Sequence, residues 1–430
     1  MSRIAEIAAA LAGYDPKALS VDGVQAFLSH LVAPAVVRER ESVALFDALG
    51  RVLSEDVISP FNVPPHDNSA MDGFAFDGAQ LEAAAAEIRL RIAGTAFAGA
   101  AWRGTLTGGE ALKIMTGAVM PAGCDTVVPQ EFCTVDGDAV RFPAAALRRG
   151  DNRRFAGEDL MQGRPALRRG ERLTPAALGL LASLGLAQAP VSRRLRVAYF
   201  STGDEILSLG DAPREGAVYD SNRYTVFGLL SRLGCEVVDL GMVRDDPAAL
   251  AAALRDAADR ADAIITSGGV SVGEADHTRA VMQQLGDMAF WRVAMRPGRP
   301  MAVGLIPRDA QAGPAVLFGL PGNPVAVMVT FLAFVRPALL QLMGCHAAPP
   351  PMLRARSVAA IRKKPGRTEY QRGRVTQVPG ALPEVRIAGN QGSGVLSSMV
   401  EGNGLVVLHH DQDSVAPGDE VDVMMFDGVM

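Results

Sequence analysis

Residues 262–278 read Asp-Ala-Ile-Ile-Thr-Ser-Gly-Gly-Val-Ser-Val-Gly-Glu-Ala-Asp-His-Thr, and this stretch carries the densest chemistry in the chain. An apolar run, Ala263–Ile265, reads as a buried parallel strand that breaks into a loop of small residues. Gly268, Gly269 and Gly273 can bring backbone N–H groups close to an oxyanion, and Thr266, Ser267 and Ser271 add hydroxyls. Glu274 and Asp276 follow, where a phosphate-cradling loop ordinarily supplies a lysine. Carboxylates beside a phosphate site imply a bound divalent cation, because bare acids would repel the ligand. The loop therefore suits a phosphorylated or oxyanionic substrate held with Mg²⁺. The same residues would also make a tight strand-to-helix turn with Asp276 as the helix N-cap.

Other segments show comparable chemistry. Pro64–Ala75 reads Pro-Pro-His-Asp-Asn-Ser-Ala-Met-Asp-Gly-Phe-Ala. Turn formers explain its Pro, Asn and Gly, but not two acids flanking a Ser-Ala-Met core. Thr116, in Ile114–Ala118, ends a strand where its hydroxyl could donate to an oxyanion. Asp245 precedes the helix cap Asp246 and is left available at the end of a strand. Arg292, Arg296 and Arg299 follow the acidic loop, and alternation puts Arg292 and Arg296 on one side of an extended segment. They read as a solvated basic edge or as anion ligands. In the tail, Tyr370–Gly373 and Asn390–Gly394 could be plain turns, or could present an arginine fork and a hydroxyl to a tetrahedral oxyanion. Gly269–Gly273 matches GxSxG, yet acids intervene before the next helix, which disfavours a nucleophile elbow. No HExxH, Walker A or GxGxxG pattern occurs, and the six histidines lack metal-ligand spacing.

These side chains need several domains to position them, because 430 residues exceed the roughly 250–300 that one core supports. The texture predicts a multidomain α/β and β protein. Residues 1–55 plus 145–190 form a helical linking domain, with Asp15-Pro16, Ser20 and Thr174-Pro175 as helix starts, and residues 56–144 form an inserted β domain. Residues 191–345 form an α/β domain with a parallel sheet, and 352–430 form a C-terminal β-barrel or sandwich after the Pro-rich linker 347–351. Within the α/β domain, Ser221 is expected to cap one helix and Asn323 another, in Leu320-Pro321-Gly322-Asn323-Pro324. Ligands of such sheets lie beyond the carboxyl ends of the strands, so Glu205, Asp276 and the Pro-Gly-Asn-Pro turn should share one rim.

Apolar residues make up 49% of the chain and charged residues 21%, with a net charge of −5, which argues against a nucleic-acid protein. Cys124, Cys133, Cys235 and Cys345 lack CxxC spacing and read as structural thiols in a reducing compartment. The N-terminus has no signal-peptide pattern, and Val325–Val335, ended by Arg336-Pro337, is too short for a membrane span. The expectation is a cytoplasmic protein.

Taken together, Pro64–Ala75, Ile114–Ala118, Ser201–Glu205, Asp220–Arg223, Arg244–Pro247, Thr266–Thr278, Arg296–Pro300, Leu320–Pro324, Gln371–Gly373 and Gln391–Ser393 resemble the MoeA family, the molybdopterin molybdenumtransferases that include gephyrin-type E domains. The resemblance runs in family order over nearly the whole chain. It implies a homodimer with an intersubunit active site that converts adenylylated molybdopterin and molybdate to molybdenum cofactor with release of AMP, assisted by Mg²⁺. It also implies transient contact with the molybdopterin adenylyltransferase. The family's catalytic positions fall on Asp67, Thr116, Glu205, Asp245 and Asp276, and its metal ligands on Glu205, Asp245 and Asp276. Substrate binding falls on Ser267, Gly268, Gly269, Ser271, Gly273, Arg292, Arg296, Pro321, Gly322 and Asn323. Molybdate binding falls on Arg299, Pro300, Arg372 and Ser393. Arginine at 292, 296 and 299 replaces a frequent lysine, and His66 and His277 replace common aromatics, so a tungstate-inserting paralogue is one alternative. A non-catalytic scaffold and another nucleotide-pyrophosphate hydrolase on the same α/β domain are the others.

Overall fold

The computed structural model describes residues 2–83, 86–269, 276–308, 313–346 and 348–430. Two compact units divide the chain, one comprising 1–54, 170–175 and 188–430, the other 55–169 and 176–187. The insertion is thus longer than the expected 56–144. Residues 145–169 belong with it, because strand Arg153–Arg154 pairs with Asn68–Ser69 and Pro165–Leu167 pairs with Val57–Ile58.

The larger unit is built on a six-stranded sheet. Its strands in chain order are β1 (Arg196–Thr202), β2 (Glu236–Val243), β3 (Ala263–Ser267), β4 (Asp287–Arg292), β5 (Pro300–Ile306) and β6 (Ala315–Leu320), arranged β2-β1-β3-β6-β5-β4. The first four in that order run parallel, whereas β5 and β4 are antiparallel additions. The expected all-parallel sheet is therefore mixed: β4 and β5 follow each other with only a short excursion between them, too short for a crossover helix. Strands β3 and β6 are buried along their whole length, which explains their unbroken apolar runs.

Helices α1 (Ser221–Leu233), α2 (Pro247–Arg260) and α3 (Asp276–Leu285) alternate with these strands. Asp246 caps α2 as expected, accepting from Ala249 N at 2.9 Å. Asp220, not Ser221, caps α1: its carboxylate accepts from Arg223 N at 3.1 Å, the N3 geometry that a shorter serine one residue later cannot supply. A continuous helix, Pro324–Leu342, then crosses the core. Arg336-Pro337 does not end it: a π-turn over Phe331–Val335 leads into the proline, with Arg336 N donating to the Phe331 carbonyl. By length and composition its 19 residues could cross a bilayer, but 83% of its most apolar window is buried inside the fold, as in a core helix. Near the N-terminus, helix Val21–Val32 buries Val21, Val24, Phe27, Leu28, Leu31 and Val32 at helical spacing, and Ser20 caps it. Asp15-Pro16 starts no helix.

The tail closes into a five-stranded barrel. Thr368–Thr376, Glu384–Ile387, Leu353–Ser357, Glu420–Met425 and Gly404–Leu408 pair in turn, and the last returns to the first. Met295–Arg296 pairs with the start of Thr368–Thr376, so the chain leaves the central sheet for the barrel sheet just after Arg292.

The smaller unit holds a second six-stranded sheet around Phe74, Phe76, Leu90, Val128 and Phe142. Gly73 is required there, since a Cβ would lie 1.9 Å from the Val128 carbonyl oxygen.

At the amino edge of the central sheet, Asp262 is buried and ties together the ends of β1, β3 and β5. Its carboxylate accepts from Arg193 at 2.9 and 3.1 Å and from Arg196 N at 2.9 Å, with Arg308 at 3.6 Å. Burial alone would raise its pKa; the Arg193 hydrogen bonds, the Arg196 amide and the two guanidinium charges outweigh that and hold it below the usual value. A lowered carboxylate pKa contributes stability above the unfolded value, about 3.9, that is lost as pH falls through the lower folded value. Asp262→Ala should therefore cost about 3–5 kcal/mol, by removing the buried carboxylate that Arg193 and Arg308 share. Urea melts at neutral pH measure that loss, and the gap between variant and wild type should narrow in acid.

Candidate active site

The carboxyl ends of β1, β3 and β6 open into a cleft of about 620 Å³. Its floor depends on close backbone packing. Gly268 has φ +89°, and a Cβ there would sit 2.2 Å from the Thr202 carbonyl oxygen; Gly322 packs beside it, where a Cβ would lie in ordinary contact 3.9 Å from Gly268 Cα. Around this floor stand Glu205 from the loop after β1, Asp245 from the loop after β2, Gly269, and Pro321, Gly322 and Asn323 from the turn after β6. Arg296, Arg299 and Pro300 form another wall, and Ser393 with Gln391 and Gly392 reaches in from the barrel.

Several expected positions thus share one rim, as parallel topology requires. Asn323 is the N-cap residue of the long helix, although its side chain makes no capping bond. Ser393 is latched to that helix by its carbonyl, which accepts from Val325 N at 3.0 Å. Thr278, on α3, donates to Asp245 at 3.3 Å and lines the same cleft. Thr202, Gly298, Thr278 and Gln391 were not among the expected site residues. The available signal was position, since each lies within three positions of an expected residue.

Three expectations differ from the structure. Arg292 is exposed at the end of β4 and does not line the cleft, because the sheet change after it breaks the alternation with Arg296. Ser267 is buried, its hydroxyl bonded to the Tyr199 hydroxyl at 2.7 Å, so it lies behind the cleft. Arg372 is only 1% exposed, covered by the segment 390–398 that follows the barrel strand Glu384–Ile387. Its Nε donates to Ser398 Oγ and its Nη2 to the carbonyls of Asn390 and Gly392, each at 3.0 Å. It braces the loop that carries Ser393 and presents no fork to the cleft; burial, with Arg296 nearby, pulls its pKa below the usual value. Asp276 begins α3, and its side chain, like Ser271 and Gly273, lies outside the described residues.

In the smaller unit, Asp67 accepts from the Arg153 guanidinium and from Ala156 N at 2.8 Å. The Ala156 amide and then Arg153 hold its pKa below the usual value against partial burial. Thr116 donates through both N and Oγ1 to Asp72 Oδ1 at 2.7 Å, which keeps Asp72 ionised to lower pH. Asp67 and Thr116 are thus each anchored to a charged partner.

The donor set fits a hard divalent cation. Glu205 and Asp245 offer two carboxylates in one cleft, and Mg²⁺ commonly takes one or two carboxylates plus water and substrate phosphate. No group of three His, Cys, Asp or Glu that could hold a metal occurs among the described residues. A second wall of arginine suits a separate oxyanion.

Comparison with known proteins decides what this arrangement belongs to. Family models match residues 19–185 as the MoeA N-terminal region (domain I and II), 198–341 as a probable molybdopterin binding domain, and 354–426 as the MoeA C-terminal region (domain IV). The chain is 39% identical over 393 residues to a molybdopterin molybdenumtransferase of Haemophilus influenzae, covering 91% of this chain and 95% of that protein. A molybdopterin molybdenumtransferase of Nostoc sp. is 36% identical over 392 residues, covering 90% and 89%. The crystal structure of a molybdopterin biosynthesis moeA protein from Pyrococcus horikoshii OT3 superposes with TM-score 0.77 at 26% identity, over 95% of this chain and all of that one. The chain belongs to the MoeA family. Its resemblance in ten short segments thus extends to all three family regions and to the fold.

Because Arg372 is internal, its loss should act through the fold as well as the ligand. Arg372→Ala removes a charged donor from three acceptors, at about 1.5–3 kcal/mol per charged hydrogen bond. A lowered melting temperature together with a weakened molybdate dependence is expected, with Arg372→Lys recovering only part of either. Unchanged melting with weakened molybdate use would mean instead that the guanidinium contacts the oxyanion.

Proposed function

We infer that this protein is a molybdopterin molybdenumtransferase that inserts molybdate into adenylylated molybdopterin, releasing AMP. The observation carrying this reading is the single cleft in which Glu205 and Asp245 face a wall of Arg296, Arg299 and Ser393. A phosphoanhydride and a tetrahedral dianion need opposite kinds of help, and the two walls are suited to one each.

Glu205 and Asp245, with Asp276, would hold Mg²⁺, which when bound neutralises phosphate charge as the anhydride opens. Thr278 orients the Asp245 carboxylate by its hydrogen bond. Gly268 and Gly269 expose backbone to the ligand, and Arg296 and Arg299 offer planar forks to molybdate or to the terminal phosphate. The dithiolene sulfurs come from the substrate, so no protein thiol is needed. Burial raises the pKa of Cys124 and Cys235 to about 12 and of Cys133 to about 11, which suits structural thiols.

Asp67 and Thr116 belong to the same reaction in this reading, supplied to the cleft by a second copy of the chain. A homodimer with shared sites and a transient contact with the adenylyltransferase that makes the substrate complete the proposal.

Molybdate-dependent AMP release from adenylylated molybdopterin, coupled to reactivation of an apo-molybdoenzyme, tests the reading; tungstate serves as the competing oxyanion. Glu205→Gln and Asp245→Asn should each lower Mg²⁺-dependent turnover by about 10²-fold or more, the scale of one lost electrostatic contact in a transition state, with melting close to wild type. AMP release that ignores molybdate would point to a nucleotide-pyrophosphate hydrolase instead.

Mixing subunits tests the shared site separately. Asp67→Asn and Glu205→Gln proteins, each inactive alone, should regain activity after subunit exchange, because a hybrid dimer contains one intact site. No recovery after exchange is verified by mass would place Asp67 outside the active site or in cis.

A further inference from the structure

Behind the cleft lies a buried polar chain that none of the roles above uses. Ser201, on β1, donates to the Asp220 carboxylate at the start of α1. The Tyr199 hydroxyl bonds Ser201 Oγ at 3.1 Å and Ser267 Oγ at 2.7 Å, joining β1 to β3. Asn222, only 8% exposed, closes the chain. Its Nδ2 donates to the Gly322 carbonyl at 2.7 Å and approaches Ser267 Oγ at 3.4 Å. The Asn222 amide therefore joins helix α1, β3 and the turn after β6, and Tyr199 extends the chain to β1.

The bond to Gly322 has a directional consequence. A trans peptide is planar and points its C=O and the following N–H in opposite directions. Asn222 does not line the cleft, whereas Gly322 and Asn323 do. Holding the Gly322 carbonyl back toward Asn222 therefore turns the Asn323 N–H away from the buried chain. This amide stands at the start of the 19-residue helix Pro324–Leu342, where Pro324 itself has no N–H to offer. Side-chain capping by Asn323 does not compete, since that side chain makes no capping bond.

We propose that Asn222 is a positioning residue that aims the Asn323 backbone N–H at an anionic oxygen of the substrate, with Tyr199, Ser201, Ser267 and Asp220 fixing its orientation. The proposal rests on the function inferred above for the identity of the anion, a phosphate oxygen of the pterin adenylate. The geometric claim stands apart from that identity. Asn222 does not touch the substrate; it acts through the Pro321-Gly322-Asn323 turn.

Asn222→Asp keeps shape and packing but replaces the donor with an acceptor facing a carbonyl. Two measurements on the full-length protein test it. In steady-state kinetics, Asn222→Asp and Asn222→Ala should both raise KM for adenylylated molybdopterin about tenfold or more, the scale of one misdirected hydrogen bond, with the molybdate dependence unchanged. Hydrogen exchange of the segment 320–327 should quicken in both variants, while exchange in the barrel strands stays as in wild type. Tyr199→Phe, which loses only an internal link, should give a smaller shift in the same direction. Wild-type kinetics in Asn222→Asp would overturn the proposal. So would a loss confined to melting temperature, with KM and kcat unchanged per folded molecule. If wild type itself shows no molybdate-dependent AMP release, the function is wrong; quickened exchange at 320–327 would still support the geometric half, and unchanged exchange would sink it.

Discussion

The approach of the Gly268 backbone to the Thr202 carbonyl is the contact on which the cleft depends. Parallel pairing of β1, β3 and β6 delivers three loops to one edge, but only a residue without a side chain lets them converge. Its positive φ adds a second reason for glycine, since an L side chain there would be strained whatever the space. With Gly268 in place, Gly322 packs against it and the turn after β6 closes the floor. The acids on the loops after β1 and β2 then face arginines that arrive from a different part of the chain.

Charge is handled oppositely at the two edges of the same sheet. At the amino edge Asp262 is buried and engaged by two arginines and a backbone amide, so its charge is spent on holding strands together. At the carboxyl edge Glu205 and Asp245 are exposed, and among the described residues neither is paired with an arginine. The unpaired acids at one edge and the satisfied one at the other are what a structural and a functional carboxylate should look like in one domain.

Much of this was legible in the residue order, and what was not has a physical reason. Apolar runs such as Ala263–Ile265, the Asp246-Pro247 cap and the Leu320–Pro324 turn are local signals, and the strands and helices stand where those signals put them. The direction of β4 and β5 is set by how the chain returns, which a period-2 pattern cannot encode. Arg292 and Arg296 alternate on paper, but a change of sheet between them is a tertiary event. The burial of Arg372 depends on three acceptors up to 26 residues away, so its motif alone could equally describe a ligand fork or a brace. The insertion boundary was missed because Arg153–Arg154 and Pro165–Leu167 are strands of two or three residues, too short to show periodicity.

The brace role of Arg372 changes how the two halves of the cleft relate. A barrel that bound molybdate through its own arginine could act as a separate delivery module. Instead, Arg372 stiffens the loop bearing Ser393, and the Ser393 carbonyl is bonded to Val325 in the first turn of the long helix. Arg296, which lines the cleft, is itself carried on the short strand that pairs with the barrel. The groups suited to the oxyanion are thus fastened at one end to the barrel and at the other to the helix that begins beside the phosphate-suited turn. Movement of the barrel would shift Arg296, Ser393 and the start of that helix together. The geometry therefore favours a site that holds both substrates in one rigid frame, where proximity and orientation supply much of the rate.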